Sequence, residues 1–159
     1  MRNEHLTPRD TPLAPGDTAP LFTLPDHERN EWSLKEHLGK GDVVLAFYPL
    51  DFTGVCSDEM TCLTSEMQRF TGAGATEVVG ISCDSFAAHA AFREKLNLKQ
   101  TLLADMHREV CKAYGLYWPD LNVSSRGTVI IGADGVVKWS QSREPGSAFD
   151  LDEVLATLA

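Results

Sequence analysis

The sequence has no C-x-x-C pair, no long apolar run and no excess of positive charge. Its cysteines are four residues separated by 6, 21 and 28 positions: Cys56, Cys62, Cys83 and Cys111. This spacing excludes a zinc knuckle and a dithiol motif of the thioredoxin kind. The formal net charge of −9, from 23 acidic and 14 basic residues, makes binding to a nucleic-acid backbone unfavourable because phosphates are also negative.

The chain also lacks a segment that predicts a membrane anchor or a leader. No apolar run approaches the roughly 20 residues that a membrane-spanning helix needs. The opening MRNEHLTPRD is charged and has no apolar stretch behind it. We therefore expect a soluble, cytoplasmic chain. No internal repeat or low-complexity segment is present, and 159 residues fit one domain that buries a core without disulfides.

Proline content separates the start of the chain from the rest. The segment TPRDTPLAPGDTAP holds four of the eight prolines, which favours an extended conformation over a helix. We expect residues 1–18 to form an extended N-terminal lead-in and residues 19–159 to form a single domain. Within that domain, LFTLPDHERNEWSL predicts two short extended pieces around a turn.

The rest of the domain alternates between strand-like and helix-like segments. DVVLAFYP is a nearly continuous apolar run, as in a strand buried on both faces of a sheet. A helix from about Cys56 and a buried strand in TEVVGIS follow, and the helix has apolar residues at helical spacing: Met60, Leu63, Met67 and Phe70. Further helices are expected in DSFAAHAAFREKLNL, HREVCKAYGL and DLDEVLATLA, a strand in TLLAD, and a type I′ hairpin around Asp134 and Gly135. This order predicts an α/β fold with a central mixed sheet covered by helices on both faces.

Cys56 follows the first buried strand, at the start of a predicted helix. Unpaired backbone N–H groups and the positive end of the helix dipole favour an anion there, so the thiol should ionise more readily than a free cysteine. Thr53 can turn its hydroxyl toward the sulfur or toward an oxygen bound beside it. Position alone leaves an alternative open, in which Cys56 is a small buried apolar residue and Thr53 an ordinary helix cap.

Pro49, Thr53 and Cys56 form the pattern Pro-x-x-x-Thr-x-x-Cys. This pattern resembles the peroxidatic motif of the peroxiredoxins and lies in its usual place after a central strand. GDTAPLFTLPD, GISCDS, KAYGL and SRGTVIIGADGVV are similar to other parts of that family, so the resemblance covers nearly the whole domain. Within the family, FYPLDFTGVC is most similar to the bacterial groups of alkyl hydroperoxide reductase E and of the Q-type, or bacterioferritin-comigratory, proteins.

The resemblance implies a thioredoxin-like fold and a thiol-dependent peroxidase that reduces hydrogen peroxide and organic hydroperoxides in antioxidant defence. Cys56 would attack a peroxide oxygen and become a sulfenic acid, with Thr53 and Pro49 as loop partners. Arg126 would stabilise the thiolate and the developing charge, and Glu59 matches a glutamate often found after the cysteine. The resemblance also implies a thiol reductant, either a thioredoxin-like protein or a low-molecular-weight thiol, a homodimer, and no metal or organic cofactor.

The second thiol of the cycle departs from the family's patterns. No cysteine follows Cys111, so the C-terminal resolving cysteine of typical two-cysteine members is missing. Cys62 lies six residues after Cys56, whereas Q-type members often have a cysteine one position earlier. Six residues of intact helix rise about 9 Å, beyond the roughly 5.5 Å Cα separation of a disulfide. Either an external thiol resolves a one-cysteine enzyme, or an internal thiol does, with Cys62 ahead of Cys83 and Cys111.

Other functions remain as alternatives to a peroxidase. A binding protein on the same scaffold would sense oxidant through Cys56 or hold unfolded chains, and would consume peroxide without turning over. A thioredoxin-type reductase lacks its second cysteine. His107 and Cys111, four residues apart on a predicted helix, offer two metal ligands where a zinc site needs at least three. The remaining histidines are interpreted as solvated: His5, His27, His37 and His89.

Overall fold

The computed structural model describes residues 2–143 and 151–158. The strands within these ranges are β1 (Thr23–Pro25), β2 (Glu31–Ser33), β3 (Asp42–Phe47), β4 (Ala75–Ser82), β5 (Thr101–Ala104), β6 (Tyr117–Trp118), β7 (Val123–Ser124), β8 (Arg126–Ile131) and β9 (Val137–Arg143). The helices are α1 (Leu34–His37), α2 (Gly54–Ser65), α3 (Met67–Gly72), α4 (Phe86–Leu96), α5 (Glu109–Ala113) and α6 (Leu151–Thr157). No helix in the described part of the chain has the length and apolar character to cross a membrane.

Five of these strands form the central sheet, in the order β5-β4-β3-β8-β9. The strands β3, β4 and β5 pair in parallel, whereas β8 is antiparallel to both β3 and β9. Helices α2 and α3 connect β3 to β4, and α4 connects β4 to β5, as parallel pairing requires. The predicted mixed sheet is therefore present, and β3 is the strand at which parallel and antiparallel pairing meet.

Apolar side chains cover both faces of the sheet and form two cores. All six residues of β3 are buried, and their side chains alternate between the two faces. The Phe47 core includes Leu34, Val43, Leu45, Phe47, Ile81, Val110 and Tyr114. The Cys56 core includes Val44, Ala46, Cys56, Met60, Phe70, Phe92 and Val154. Helices α1 and α5 thus pack on one face and α2, α3, α4 and α6 on the other, as the buried strand runs predict.

The helix predicted from about Cys56 begins two residues earlier, at Gly54, with Thr53 as its N-cap. Glu66 then departs from helical geometry, at φ −102° and ψ 10°. Two helices, α2 and α3, therefore replace the single helix that the spacing predicted. The predicted apolar face is nevertheless buried at three positions: Met60, Leu63 and Phe70.

The hairpin between β8 and β9 forms as predicted, but the prediction of a type I′ turn is wrong. A type I′ turn needs positive φ at both central residues, and of Asp134 and Gly135 only Gly135 has it, at 81°. The Gly135 N–H donates to the carbonyl oxygen of Gly132 at 2.9 Å. The Asp134 carboxylate accepts from the N–H of Val136 at 3.1 Å, and this local bond fixes a turn with a single left-handed glycine. The sequence analysis did not predict the short antiparallel strands β6 and β7.

The described residues before β1 form no helix. The N–H of Arg9 donates to the carbonyl oxygen of Lys112 at 2.9 Å, and Leu13 is buried in the Phe47 core. A Cβ at Gly115, whose φ is 72°, would lie 1.9 Å from the Thr11 carbonyl oxygen, so glycine permits the close approach of this segment to the end of α5. The domain boundary at residue 19 stays a prediction.

Candidate active site

Cys56 is the third residue of α2 and is 1% exposed. The first backbone N–H groups of a helix have no acceptor within the helix, and the Thr53 side chain makes no capping bond to them. A negatively charged or polar oxygen beside the sulfur therefore meets free donors and the positive end of the helix dipole.

Arg126 is the buried cation beside this sulfur. Its Nη2 donates to Cys56 Sγ at 2.9 Å, and its Nη1 donates to a carboxylate oxygen of Glu59 at 3.2 Å. Both Arg126 and Glu59 are almost fully buried. Glu59 lies three residues after Cys56, so the thiol and the carboxylate share one helix face and bind one guanidinium.

The sheet brings Arg126 to the thiol from a distant part of the sequence. Arg126 is the first residue of β8, and the next residue, Gly127, pairs with Phe47 at the end of β3. Arg126 lies on the same face of β8 as Ile130, four residues later, which belongs to the Cys56 core. The guanidinium therefore reaches the point where β3 passes into the loop that leads to α2.

The loop 48–53 carries the two other residues of the predicted motif. Pro49 is buried, whereas Thr53 is exposed. The Thr53 hydroxyl donates to the carbonyl oxygen of Leu50 at 2.9 Å, which differs from the expected bond toward the sulfur. Since that hydrogen is used, the Thr53 oxygen remains as an acceptor for a group bound beside Cys56.

A buried polar network that the sequence did not predict holds this loop. Asp51 accepts from the Tyr48 hydroxyl at 2.6 Å, and its other carboxylate oxygen lies 2.7 Å from His89 Nδ1. His89 Nε2 donates to the carbonyl oxygen of Leu103 at 3.0 Å. A separation of 2.7 Å between Asp51 and His89 requires a hydrogen between them. His89 is fully buried, so its interpretation as a solvated histidine is wrong.

The helical spacing of residues in α4 could have indicated that His89 is buried. This residue lies three positions before the buried Phe92 on one helix face, and such a position faces the core.

The end of β4 contacts the loop 48–53 from another side. The Asp51 N–H donates to a carboxylate oxygen of Asp84 at 2.9 Å, and Ser82 donates to that oxygen at 2.6 Å.

All four cysteines are free thiols. Cys62 lies half-buried in α2, which is continuous from Cys56 to Cys62. Burial, reinforced by the nearby Glu66 carboxylate, raises the pKa of the Cys62 thiol. Cys83 and Cys111 belong to the Phe47 core, with their sulfur atoms 3.8 Å apart. Folding thus brings Cys83 and Cys111 to each other, on the face of the sheet opposite Cys56.

Two groups of described residues place three metal-ligand atoms within 4.8 Å of one another: Cys83, Asp105 and Cys111, and Asp51, Asp84 and His89. The carboxylates of Asp51, Asp84 and Asp105 already accept hydrogen bonds. His107 belongs to neither group. It is exposed and precedes α5, so the predicted helix face that it would share with the buried Cys111 does not exist.

A comparison with known protein families assigns the chain to one of them. The model of the AhpC/TSA family matches residues 15–140, which is most of the chain. The chain belongs to the AhpC/TSA family. This result confirms the peroxiredoxin membership that the pattern of Pro49, Thr53 and Cys56 predicted.

The relatives include the predicted groups. The 2-Cys peroxiredoxin BAS1 of Hordeum vulgare is 35% identical over 159 aligned positions, covering 94% of this chain and 75% of that protein. Peroxiredoxin Q of Sedum lineare is 38% identical over 145 positions, covering 90% of this chain and 76% of that protein. Alkyl hydroperoxide reductase E of Mycobacterium tuberculosis is 29% identical over 137 positions, covering 85% of this chain and 89% of that protein. In the BAS1 proteins of Spinacia oleracea and Arabidopsis thaliana the matched part is 59% of the length.

Solved structures share the fold. Peroxidoxin BcpB from Mycobacterium tuberculosis has a TM-score of 0.82 and 30% identity, over 91% of this chain and 96% of that chain. The predicted thioredoxin-like fold is therefore confirmed. Family, relatives and fold together make the chain a peroxiredoxin, a thiol-dependent peroxidase with an antioxidant function.

Proposed function

We propose that Cys56 is the peroxidatic nucleophile of this peroxiredoxin, with Arg126, Thr53 and Pro49 around it. The main support is the 2.9 Å bond from Arg126 Nη2 to Cys56 Sγ in a buried setting. A guanidinium stays protonated at physiological pH, so it is an electrostatic partner for the thiolate, the nucleophilic form of cysteine. Glu59 binds the other side of the guanidinium and fixes its plane.

The thiolate attacks one oxygen of a hydroperoxide in line with the O–O bond. A bond forms between the sulfur and that oxygen, which keeps its hydrogen, and the O–O bond breaks. The other oxygen leaves as hydroxide or alkoxide and takes a proton to give water or an alcohol. Negative charge moves from sulfur to the leaving oxygen, where Arg126 and the first N–H groups of α2 stabilise it. Cys56 is left as a sulfenic acid.

Thr53 and Pro49 act on the position and surroundings of the reacting atoms. Because the Thr53 hydrogen is donated to Leu50, a peroxide O–H donates to the Thr53 oxygen and is aligned with the sulfur. Pro49 is buried at the start of the loop, and the 1% exposure of Cys56 keeps bulk water away from the thiolate.

Replacement of Cys56 by serine tests this assignment. Cys56→Ser should abolish the rapid consumption of hydrogen peroxide, both in a single turnover with one equivalent and in the steady state with a thiol reductant. The matched change Cys62→Ser, in the same helix, should leave single-turnover consumption unchanged. Peroxide consumption by Cys56→Ser at the wild-type rate would contradict the proposal. A wild-type protein that consumes one equivalent and stops with every thiol reductant would instead favour an oxidant sensor.

For the reductive half of the cycle we infer an external thiol. Helix α2 is continuous from Cys56 to Cys62, so the rise between them is about 9 Å, too long for a disulfide. The raised pKa of Cys62 leaves less thiolate to attack, and Cys83 and Cys111 lie on the other face of the sheet. A thioredoxin-like protein or a low-molecular-weight thiol attacks the sulfenic sulfur and releases water, and a further thiol then restores Cys56.

Mass spectrometry after one equivalent of hydrogen peroxide tests this inference. A sulfenic acid on Cys56 that persists and is trapped by dimedone supports the one-cysteine cycle. A monomer lighter by two hydrogens, with a Cys56–Cys62 linked peptide, contradicts it. In steady-state assays with the same thiol reductant, Cys62→Ser should turn over at the wild-type rate.

We further propose a homodimer and a cytoplasmic location. Phe52 is 50% and Leu121 55% exposed, and a subunit interface would remove such apolar side chains from water. Four free thiols suit a reducing compartment. Light scattering at micromolar concentration should give the mass of a dimer, and a monomer mass across the concentration range would contradict the proposed assembly.

A further inference from the structure

Cys83, Cys111 and Asp105 form a cluster within the Phe47 core. The two sulfur atoms are 3.8 Å apart, although the residues are 28 positions apart in sequence. The Asp105 carboxylate accepts from the backbone N–H groups of Val110 and Cys111 at 3.2 and 2.8 Å. One carboxylate oxygen and the two sulfurs lie within 4.8 Å of one another. The chemistry of Cys56 uses none of these groups, because the sheet separates them from it.

We propose that Cys83 and Cys111 are a second redox site, a dithiol that a hydroperoxide oxidises to a disulfide. The sulfur atoms of a disulfide are about 2.05 Å apart, so the present pair must close by roughly 1.8 Å. Small rotations about the side-chain torsions give a movement of this size, because the sulfurs already face each other between the end of β4 and α5.

Exposure sets the order in which the two thiols react. Cys83 is 9% exposed, whereas Cys111 is 0% exposed. The hydrogen bond with Cys83, together with burial, raises the pKa of the Cys111 thiol, so Cys111 is the poorer first nucleophile. Cys83 therefore attacks the peroxide. The S–O bond forms, the O–O bond breaks, and the leaving oxygen takes the thiol proton to become water or an alcohol.

Asp105 serves the second step as a proton acceptor. Burial raises the pKa of Asp105 to about 6, so the carboxylate is mostly ionised at about pH 7.5 and takes the Cys111 proton. The Cys111 sulfur attacks the sulfenic sulfur of Cys83, the S–O bond breaks, and the departing hydroxide receives that proton as water. Two thiols and one hydroperoxide thus give a disulfide, a water and an alcohol or second water.

The full-length double variant Cys56→Ser/Cys62→Ser isolates this pair from the peroxidatic site. With excess hydrogen peroxide it should lose both remaining thiols and become lighter by two hydrogens as a monomer. Peptide mapping should give a Cys83–Cys111 linked peptide that dithiothreitol abolishes. Adding Asp105→Asn should slow the loss of thiols by on the order of tenfold, because the proton acceptor is gone. Circular dichroism and thermal unfolding show that each variant is folded.

A matched control adds Cys83→Ala to the double variant, and its remaining Cys111 thiol should then resist peroxide. Two results with the Cys56→Ser/Cys62→Ser variant would overturn the proposal. In the first, both thiols can still be alkylated when the peroxide-treated protein is unfolded. In the second, Cys83 is oxidised alone to a sulfinic acid and Cys111 remains a free thiol. Because this background lacks Cys56, failure here is distinguishable from failure of the proposed peroxidatic role.

Discussion

At the scale of single residues, Arg126 donates from one rigid, planar group to two buried partners. Its two terminal nitrogen atoms reach Cys56 at 2.9 Å and Glu59 at 3.2 Å. A lysine ammonium is a point charge at the end of a flexible stem and does not reproduce this fork. Arg126 therefore ties the position of the thiol to that of a buried carboxylate.

Arg126→Lys should lower the rate constant for oxidation of Cys56 by hydrogen peroxide by on the order of tenfold or more, because the charge stays but the fork is lost. Stopped-flow measurement in a single turnover gives this rate constant. Arg69→Lys is the matched control, since its ion pair with Glu66 lies on the surface with 55% of the arginine side chain exposed. An unchanged rate constant for Arg126→Lys would mean that this arginine has only a structural role.

The residues of the site differ in how far the sequence predicts them. The spacing of Pro49, Thr53 and Cys56 is local, so one motif selects all three. Arg126 lies 70 positions from Cys56, and only the family resemblance links them, because no local pattern spans that distance. The direction of the Thr53 hydrogen bond was not predictable, since it depends on the path of the backbone around Leu50.

At the scale of secondary-structure elements, the loop 48–53 is held at Asp51 by two of its neighbours. Helix α4 holds the Asp51 carboxylate through His89, and the end of β4 holds the Asp51 N–H through Asp84. Phe52 has a φ of 65°, which is unfavourable for a residue with a bulky side chain, and its ring packs against α4. The start of α2, and with it Cys56, therefore depends on contacts with α4.

His89→Gln should lower both the free energy of unfolding and the rate of Cys56 oxidation. The substitution leaves the buried Asp51 carboxyl without its 2.7 Å partner, which costs about 1–3 kcal/mol, or more for a charged group. Urea unfolding and stopped-flow oxidation measure the two effects. His5→Gln is the control, since His5 is exposed and a surface change stays within about 0.5 kcal/mol. A normal oxidation rate in a destabilised His89→Gln would show that the network stabilises the fold without positioning the thiol.

The order of the elements was predictable because buried strands read as continuous apolar runs and the helices keep one apolar face. The failures lie where tertiary contacts or short local bonds decide. No glycine or proline marks the break at Glu66. At the β8-β9 turn, the bond from the Val136 N–H to the Asp134 carboxylate favours a turn with positive φ at Gly135 alone over a type I′ turn. The burial of His89 follows from its partners on the loop 48–53 and on β5.

At the scale of the whole molecule, the sheet separates two sets of thiols with opposite surroundings. Cys56 faces a guanidinium at 2.9 Å, whereas Cys83 and Cys111 lie beside the Asp105 carboxylate. A cation favours a thiolate and a carboxylate opposes it. This difference supports the two proposals, a rapid attack on peroxide from the face with Cys56 and a slower formation of a disulfide on the other face.

Asp105 also makes the stability of the molecule depend on pH. Burial raises the pKa of Asp105 from 3.8 to about 6, so the folded state binds a proton more tightly than the unfolded chain does. The contribution of the protonated Asp105 carboxyl to the free energy of unfolding is complete below about pH 4. It decreases as the pH rises and is lost above about pH 7. Linkage with these two pKa values gives a loss of about 1.4 kcal/mol between about pH 5 and pH 8.

Asp105→Asn should lack this part of the pH dependence. The amide oxygen accepts fewer backbone N–H groups than the carboxylate does, so the variant should be less stable than the wild type across this range. The difference in free energy of unfolding should nevertheless shrink by about 1.4 kcal/mol between about pH 5 and pH 8, because only the wild type loses the bound proton. Urea unfolding at both pH values measures it, with the exposed Asp120 changed to asparagine as a control that should show no such trend. A difference for Asp105→Asn that does not vary with pH would contradict a carboxyl group whose pKa is raised by burial.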